Sequence, residues 1–379
     1  MPRGGRVLVG DGAGFPVEAW AGVLELARRR PDVRIVLGWC LTAPERLDEL
    51  TADRAATLIS GFGMRRAIDA GQVAFLPVRL GSVPAQLRGP LRADVVVAAV
   101  RPQARGYAFT TEVSYLTAGL AAGAVLAAVV RERAPACHAG EVGADGVVVL
   151  GEGSAAPARL SPPTLNDTQR EIGERVAALI PDGARLQCGP GGVGTAVIDA
   201  VRRPVAIDSG LVSDAVARLD ERGMLDGVAV APYVTGTDLV YDWAPGRVEL
   251  AGIEVTHDPG RLAGGRPLVS LNTGLQMDLS GQVNAESAGG SAIGGIGGQP
   301  DYAAAAATSD EGLSVVAMQT MTSSGRPTLV RRLDAPATTP SHDVEMVVTE
   351  RGVADLRGLA RHERADRLVA LWGGVADLD

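Results

Sequence analysis

The stretch LQCGPGGVGTAV, Leu186 to Val197, decides the architecture. It begins as the end of a short strand closing at Cys188 and opens into Gly189, Gly191, Gly192 and Gly194. Helix-spaced apolar residues follow. Strand, glycine turn and helix in succession form the unit from which parallel sheets with covered faces are built. Glycines at such a turn let the backbone approach a ligand, and the helix start presents N–H groups to an anion. No Lys-Ser/Thr pair follows, so the stretch is not a nucleotide phosphate loop. A phosphate or pantetheine contact and a plain tight turn both remain open.

Outward from this unit the alternation repeats. Helices are expected over Thr168–Ile180, Gly194–Arg202 and Val212–Arg222, with strands at Arg185–Cys188 and Val205–Ile207. Earlier in the chain, β-branched runs place strands at Val7–Val9, Val33–Leu37, Val73–Val78 and Val95–Val100. A helix is expected at Val17–Arg30, others at Pro44–Leu58 and Met64–Ala70, and one or two covering helices within Glu112–Arg133. The segment Gly151–Asp167, with Pro157, Pro162 and Pro163, lacks periodicity and reads as a linker or crossing loop. The expected fold is therefore α/β, with two related open-sheet domains spanning 1–160 and 161–379. A cleft between them is the default ligand site.

Composition narrows the function. The chain has 379 residues, a formal charge of -8 and 46% hydrophobic residues, as expected of a globular protein. Nucleic acid is disfavoured as a partner because phosphate backbones need a basic face. All 36 basic residues are Arg, which removes Schiff-base and lysine-base chemistry. Cys40, Cys137 and Cys188 are widely spaced without a CxxC, which argues against a disulfide framework or thiolate metal site. Neither a leader-like apolar segment nor a membrane-length run is visible, so a cytoplasmic location and no membrane partner are expected.

A second glycine cluster is longer: GQVNAESAGGSAIGGIGGQPDYAAAAATSDEG, Gly281 to Gly312. So many glycines are costly to order unless the backbone has a task, such as directing N–H groups at a carbonyl oxygen. From Leu271 to Tyr302 the sequence resembles the acetyl-CoA hydrolase/transferase family, which includes the 4-hydroxybutyrate and acetate/butyrate CoA-transferases. Leu186–Val201 is similar to that family's CoA-contacting loop, and DVEMVVTERGVADLRGLARHERADRLVAL, Asp343 to Leu371, to its C-terminal signature. Looser likeness is seen in MRRAIDAGQVAFLPVRLGSVP and ADVVVAAVRPQARG of the first half. The resemblance covers about residue 60 to the end. It implies an acyl-CoA held between two α/β domains, coenzyme A as part of the substrate, a small carboxylic acid as possible second substrate, and a homodimer or higher homo-oligomer. No metal is expected.

Family transferases use a glutamate whose carboxylate attacks the acyl-CoA carbonyl. In the matching stretch IDSGLVSDA, Ile207 to Ala215, the resemblance puts that position on Gly210, which has no nucleophile. Asp208 is the first substitute: residues two apart in extended chain share a side, although it lies roughly 6–7 Å earlier along the strand. It is read either as a base that orients water or as a cap on the following helix, and Ser209 as structural. Glu286 matches a family residue other than the nucleophile and is read as site architecture or a supporting acid. The resemblance assigns CoA contact to Gly189, Gly191, Gly192, Val193, Asn284, Gly297 and Gly298, the last two also lining the oxyanion loop. His138, His257, His342 and His362 show no ligand spacing and read as structural or surface residues; Cys188 lacks a visible histidine partner. The Arg-rich Arg351–Arg367 alternates with acids and reads as a salt-bridged helix face. Together these imply an enzyme acting on an acyl-CoA without a glutamyl-CoA intermediate, by hydrolysis or by acid–base chemistry on the acyl chain. The alternatives are CoA transfer through another carboxylate and a non-catalytic CoA-binding subunit.

Overall fold

The computed structural model describes residues 2–374 and carries two large sheets. The first runs, edge to edge, Val148–Glu152, Val125–Val130, Val95–Gln103, Arg6–Val9, Arg34–Leu37, Ala55–Thr57 and Ala74–Phe75. Every pairing along that path is parallel, and Gly106–Phe109 and Glu141–Gly143 add an antiparallel flap. Its central strands are apolar on both faces because both faces are covered. Helix Val17–Arg29 packs Trp20, Val23, Leu24 and Ala27 against Val7, Val9, Ile35 and Leu37 on one face. On the other face Leu8, Val36, Val96 and Ala98 belong to a core that continues through Ile172, Val197 and Val212 into the second half.

The second sheet runs Ala206–Ile207, Arg185–Cys188, Leu268–Asn272, Leu313–Ala317, Met346–Thr349 and Gly352–Asp355, parallel except for the last pair. The chain changes direction across the sheet at Arg185–Cys188, the kind of switch point at which open α/β sheets leave a crevice. Helices Asp167–Ala177 and Gly192–Ala200 pack together beside it, the former started by an Asn166–Gln169 capping box.

A third, small sheet draws His138–Ala139 from the first half and Ala229–Ala231 and Val248–Leu250 from the second. Beside it, Val113 N donates to Pro232 O at 3.0 Å, Val234 N to Thr111 O at 2.7 Å and Ile253 N to Ser114 O at 2.8 Å. Below these backbone bonds lies a buried polar cluster. Tyr233 Oη donates to Asp11 Oδ2 at 2.8 Å and lies 2.6 Å from Ser114 Oγ, while Glu112 accepts from Gly14 N at 2.8 Å and Thr111 Oγ1 at 2.7 Å. Burial pushes the Asp11 carboxyl up to about 8 and Glu112 to about 6.

One expected helix is a different structure, and another region yields a single short helix. Pro44–Leu58 holds only a 3-10 turn, Leu47–Glu49, and then a strand, Ala55–Thr57, paired in register with Arg34–Leu37. Arg46 sits at φ +58°, which interrupts a helix at its start, and sheet pairing overrides local propensity beyond it. Within Glu112–Arg133 only Leu116–Ala121 is helical. Gly123 at φ +96° ends it, and Val125–Val130 becomes a strand beside Val95–Gln103.

Candidate active site

A cavity of about 490 Å³ opens beyond the carboxyl ends of Arg185–Cys188 and Leu268–Asn272. The first half contributes the apolar wall of Trp39, Ile59, Phe62 and Leu80. Trp39 stacks obliquely on Phe62 and edge-on to Tyr233, with ring centres 5.3 and 5.5 Å apart. The second half contributes Gly189, Gly210, His257, Tyr302 and the glycine run from Gly294 to Gly298. Among the described residues that line the cavity there is no Asp, Glu or Arg.

Its polar groups are neutral and oriented. Asn272 Nδ2 donates to Ser270 Oγ at 2.8 Å, and Ser270 Oγ donates to Gln187 Oε1 at 2.8 Å. With those atoms taken, the Gln187 amide nitrogen and the Asn272 side-chain oxygen are the groups left for a ligand. Gln187 lines the cavity with its oxygen held by Ser270 and its amide N–H groups left unused by that bond.

The glycine run is fixed largely by the first half. Ser60 Oγ donates to the carbonyl of Gly294, Leu80 N donates to Gly297 O at 3.0 Å, and Gly81 N to Asp301 Oδ2 at 2.9 Å. From behind, Ile293 N and Gly294 N donate to Glu286 O at 2.8 and 3.0 Å. Gly297 takes φ +54°.

The residues expected at the site separate into two groups. Gly189, Gly210, Gly297 and Gly298 line the cavity together. Gly191 caps helix Gly192–Ala200, and Gly192 and Val193 lie in its first turn. The glycines 189, 191 and 194 have GxGxxG spacing, and the third serves packing: a Cβ at Gly194 would lie 2.0 Å from the carbonyl oxygen of Gly189. Ala285 lines the cavity, whereas its neighbours Asn284 and Glu286 do not. Asn284 Oδ1 accepts from Glu286 N at 2.9 Å and its Nδ2 donates to Ser287 O at 2.8 Å, so it shapes the loop. Glu286 accepts from Thr338 Oγ1 at 2.9 Å, and burial raises its carboxyl above the ordinary range.

Asp208 is buried and does not line the cavity. It pairs with Arg185 Nη1 at 3.0 Å and with Arg261 Nη1 and Nη2 at 2.9 and 2.7 Å. A dinucleotide site would keep an acid for ribose near this strand end; here guanidinium groups occupy both oxygens. The following helix, Asp214–Glu221, starts after Ser213 and is not capped by Asp208. Ser209 Oγ donates to Cys188 O at 3.0 Å, a structural bond. Cys188 is buried, and desolvation alone drives its thiol well above the ordinary value.

The residue that sequence reasoning passed over is His257. It is fully buried on the cavity wall, with its ring centre 5.0 Å from that of Tyr302. His257 Nδ1 lies 2.9 Å from Thr256 Oγ1, whose hydroxyl donates to Gly252 O at 3.2 Å, whereas Nε2 has no hydrogen-bond partner. A Cβ at Gly210 would stand 3.9 Å from Nε2 and 3.8 Å from Tyr302 Cε2. At Gly298 it would fall 2.2 Å from Nε2. Burial first, and the nearby Arg261 charge second, push the imidazole down to about 3, so it is neutral at pH 7. No periodicity marks such a histidine; the only local signal was its place in VTHDPG, at a turn between two short helices.

Comparison with known proteins agrees with this architecture. Residues 236–372 match the model of the acetyl-CoA hydrolase/transferase C-terminal domain. The chain is 30% identical over 335 residues to a 4-hydroxybutyrate coenzyme A transferase of Clostridium kluyveri, covering 83% of this chain and 78% of that one. It is 25% identical over 393 residues to a butyryl-CoA:acetate CoA-transferase of Anaerostipes caccae, covering 88% of each. The fold is shared with RipA from Yersinia pestis at a TM-score of 0.86 and 22% identity, over 98% of this chain and 91% of that one. The sequence match across most of both chains, with the C-terminal domain model, establishes that this chain belongs to the acetyl-CoA hydrolase/transferase family.

Proposed function

We propose that this protein binds an acyl-CoA with its thioester in the 490 Å³ cavity and hydrolyses it, with no covalent glutamyl-CoA intermediate. The observation that carries the reading is the absence of any carboxylate among the described residues lining the cavity, with Gly210 at the strand end where the family resemblance places the nucleophile. CoA transfer requires a carboxylate that can form an anhydride and then a thioester. Asp208 is occupied by two arginines, and Glu286 does not line the cavity and accepts from Thr338 Oγ1. Water needs no such partner: it attacks the thioester carbon, the carbon–sulfur bond breaks, and the acid and free thiol leave. The Gln187 amide and the backbone of the glycine run supply neutral donors for the developing oxyanion.

The test follows thiol release from butyryl-CoA, with and without acetate or another acceptor acid, together with intact-protein mass spectrometry. Thiol release independent of acceptor, with no CoA-modified protein, is the expected result. Acceptor-dependent exchange with a trapped glutamyl-CoA adduct would overturn the reading. A failure of the protein to turn over acyl-CoA, despite thermal stabilisation by CoA, would favour a non-catalytic binding subunit.

A further inference from the structure

We propose that Phe62 selects the acyl group of the substrate, and that the group it selects is an aryl one, as in benzoyl-CoA. This rests on the acyl-CoA reading above and names the acyl class.

The chain is poor in aromatic residues, with 4 Trp, 5 Tyr and 4 Phe among 379. Even so, Trp39, Phe62, Tyr233 and Tyr302 all line the cavity. Three of them form a ladder. Tyr233 meets Trp39 edge-on at 5.5 Å between ring centres, and Trp39 meets Phe62 at 5.3 Å with the planes tilted by 48°. Tyr233 and Trp39 are buried, whereas Phe62 ends the ladder 53% exposed. Its ring therefore has Trp39 on one side and is largely open on the other. The described residues lining the cavity include no Asp, Glu or Arg to draw an ionised group. Aromatic rings favour offset, tilted or edge-on neighbours with centres about 4.5–7 Å apart, and such pairs add to the plain burial of area. An aryl acyl group in the cavity is the next member of the ladder.

The backbone is arranged to hold Phe62 at this place. Phe62 takes φ +45°, a region that bulky residues avoid, and Gly61 before it takes φ +94°. A Cβ at Gly61 would lie 3.1 Å from Ile293 O, and one at Gly63 would lie 2.3 Å from the carbonyl carbon of Thr42. The turn is thus pressed between the glycine run and the loop that follows strand Arg34–Leu37. Gly63 N donates to Cys40 O at 2.9 Å, and Ser60 Oγ donates to the carbonyl of Gly294. Neither burial nor a relaxed backbone accounts for a phenylalanine here, since its ring is half in water and its dihedral is strained. Strained residues fixed by their surroundings concentrate at ligand sites. Because the same turn is tied to Gly294, the ring is held at a set distance from the backbone proposed to bind the thioester oxygen. Phe62 acts on the acyl group alone and takes no part in bond making.

The experiment compares benzoyl-CoA with cyclohexanecarbonyl-CoA, which matches it in carbon number and charge but lacks the flat π face. Thiol release gives kcat/KM for each in wild type, Phe62→Leu, Phe62→Gly and Phe62→Tyr. Referring each benzoyl-to-cyclohexanecarbonyl ratio to that of wild type cancels the intrinsic reactivity of the two thioesters. The ratio is expected to fall about 3- to 10-fold in Phe62→Leu and Phe62→Gly and to stay within about twofold in Phe62→Tyr. Phe62→Gly also relaxes the dihedral, so its urea midpoint should match or exceed that of wild type, which separates selection from folding. A ratio unchanged in Phe62→Leu and Phe62→Gly, with or without a lowered midpoint, would overturn the assignment and leave Phe62 a packing residue. Release that needs an acceptor acid would overturn the hydrolytic reading alone, and the same ratios taken from the exchange rate would then decide Phe62. If neither thioester is turned over, their dissociation constants in the same variants, by titration calorimetry, decide it in the same way.

Discussion

Arg261 grips Asp208 with both terminal nitrogens, Nη2 to Oδ1 at 2.7 Å and Nη1 to Oδ2 at 2.9 Å, and Arg185 adds a third contact at 3.0 Å. The pair ties the end of the strand after the first glycine loop to the short helix Pro259–Ala263, just beyond His257. Breaking a buried ion pair from one side leaves a charge without compensation and costs about 3–5 kcal/mol. Arg261 is partly exposed, so Asp208→Ala is expected to lose about 2–4 kcal/mol, read as a lowered denaturant midpoint. Residual activity at low temperature should persist, because the carboxylate holds the site's frame and does not face the substrate.

Gly210→Glu places a carboxylate at the strand end where the family resemblance puts the nucleophile. The Cβ meets nothing closer than 3.8 Å, and the backbone there is not left-handed, so the substitution is expected to fold. Hydrolysis should fall, and mass spectrometry after incubation with butyryl-CoA should detect a CoA-modified protein that hydroxylamine removes. The same treatment of wild type should leave the mass unchanged.

Two buried groups give stability opposite pH slopes. Asp11 is raised from 3.8 to about 8, so between those values the folded state holds more protons than the unfolded one and stability falls as pH rises. His257 is lowered from 6.5 to about 3, so over that interval the unfolded state holds more protons and stability rises with pH. Asp11→Asn keeps an acceptor for Tyr233 and removes the first slope. Its stability relative to wild type should increase from about pH 4 towards pH 8 and then level off, as measured by urea unfolding across that range.

The cavity wall is apolar and aromatic on one side and neutral on the other. An ionised acyl tail buried there would lack a counter-charge, a desolvation cost of several kcal/mol. Butyryl-CoA and benzoyl-CoA are therefore expected to exceed succinyl-CoA in kcat/KM by about 100-fold or more, on the order of 3 kcal/mol. Parallel initial-rate measurements on the three thioesters check this.

The α/β alternation was legible because strands such as Arg6–Val9 and Val95–Gln103 carry apolar runs between helical patterns. Gly189, Gly210, Gly297 and Gly298, singled out in the sequence, line one cavity. What sequence could not supply was side-chain partnership across long separations. Asp208 looked available until Arg261, 53 residues away, closed on it. His257 looked ordinary because its significance lies in an unpaired atom beside Gly210, and absence of a partner leaves no local pattern. The misassigned helix at Pro44–Leu58 failed for a related reason, as the neighbouring strand Arg34–Leu37 recruited Ala55–Thr57 into the sheet.

The anchoring of the glycine run by Ser60, Leu80 and Gly81 has an evolutionary consequence. Residues 236–372 carry the recognisable signature, yet the oxygen and nitrogen atoms that pin its loop come from far upstream. Splitting the gene between the halves would leave a fragment whose glycine run keeps its bonds to Glu286 O but loses those to Ser60 and Leu80. Leu80 acts through its backbone N–H, so residue identity is tied to the loop only through the Ser60 hydroxyl and through Gly81, where a Cβ would fall 2.6 Å from Asp301 Oδ1.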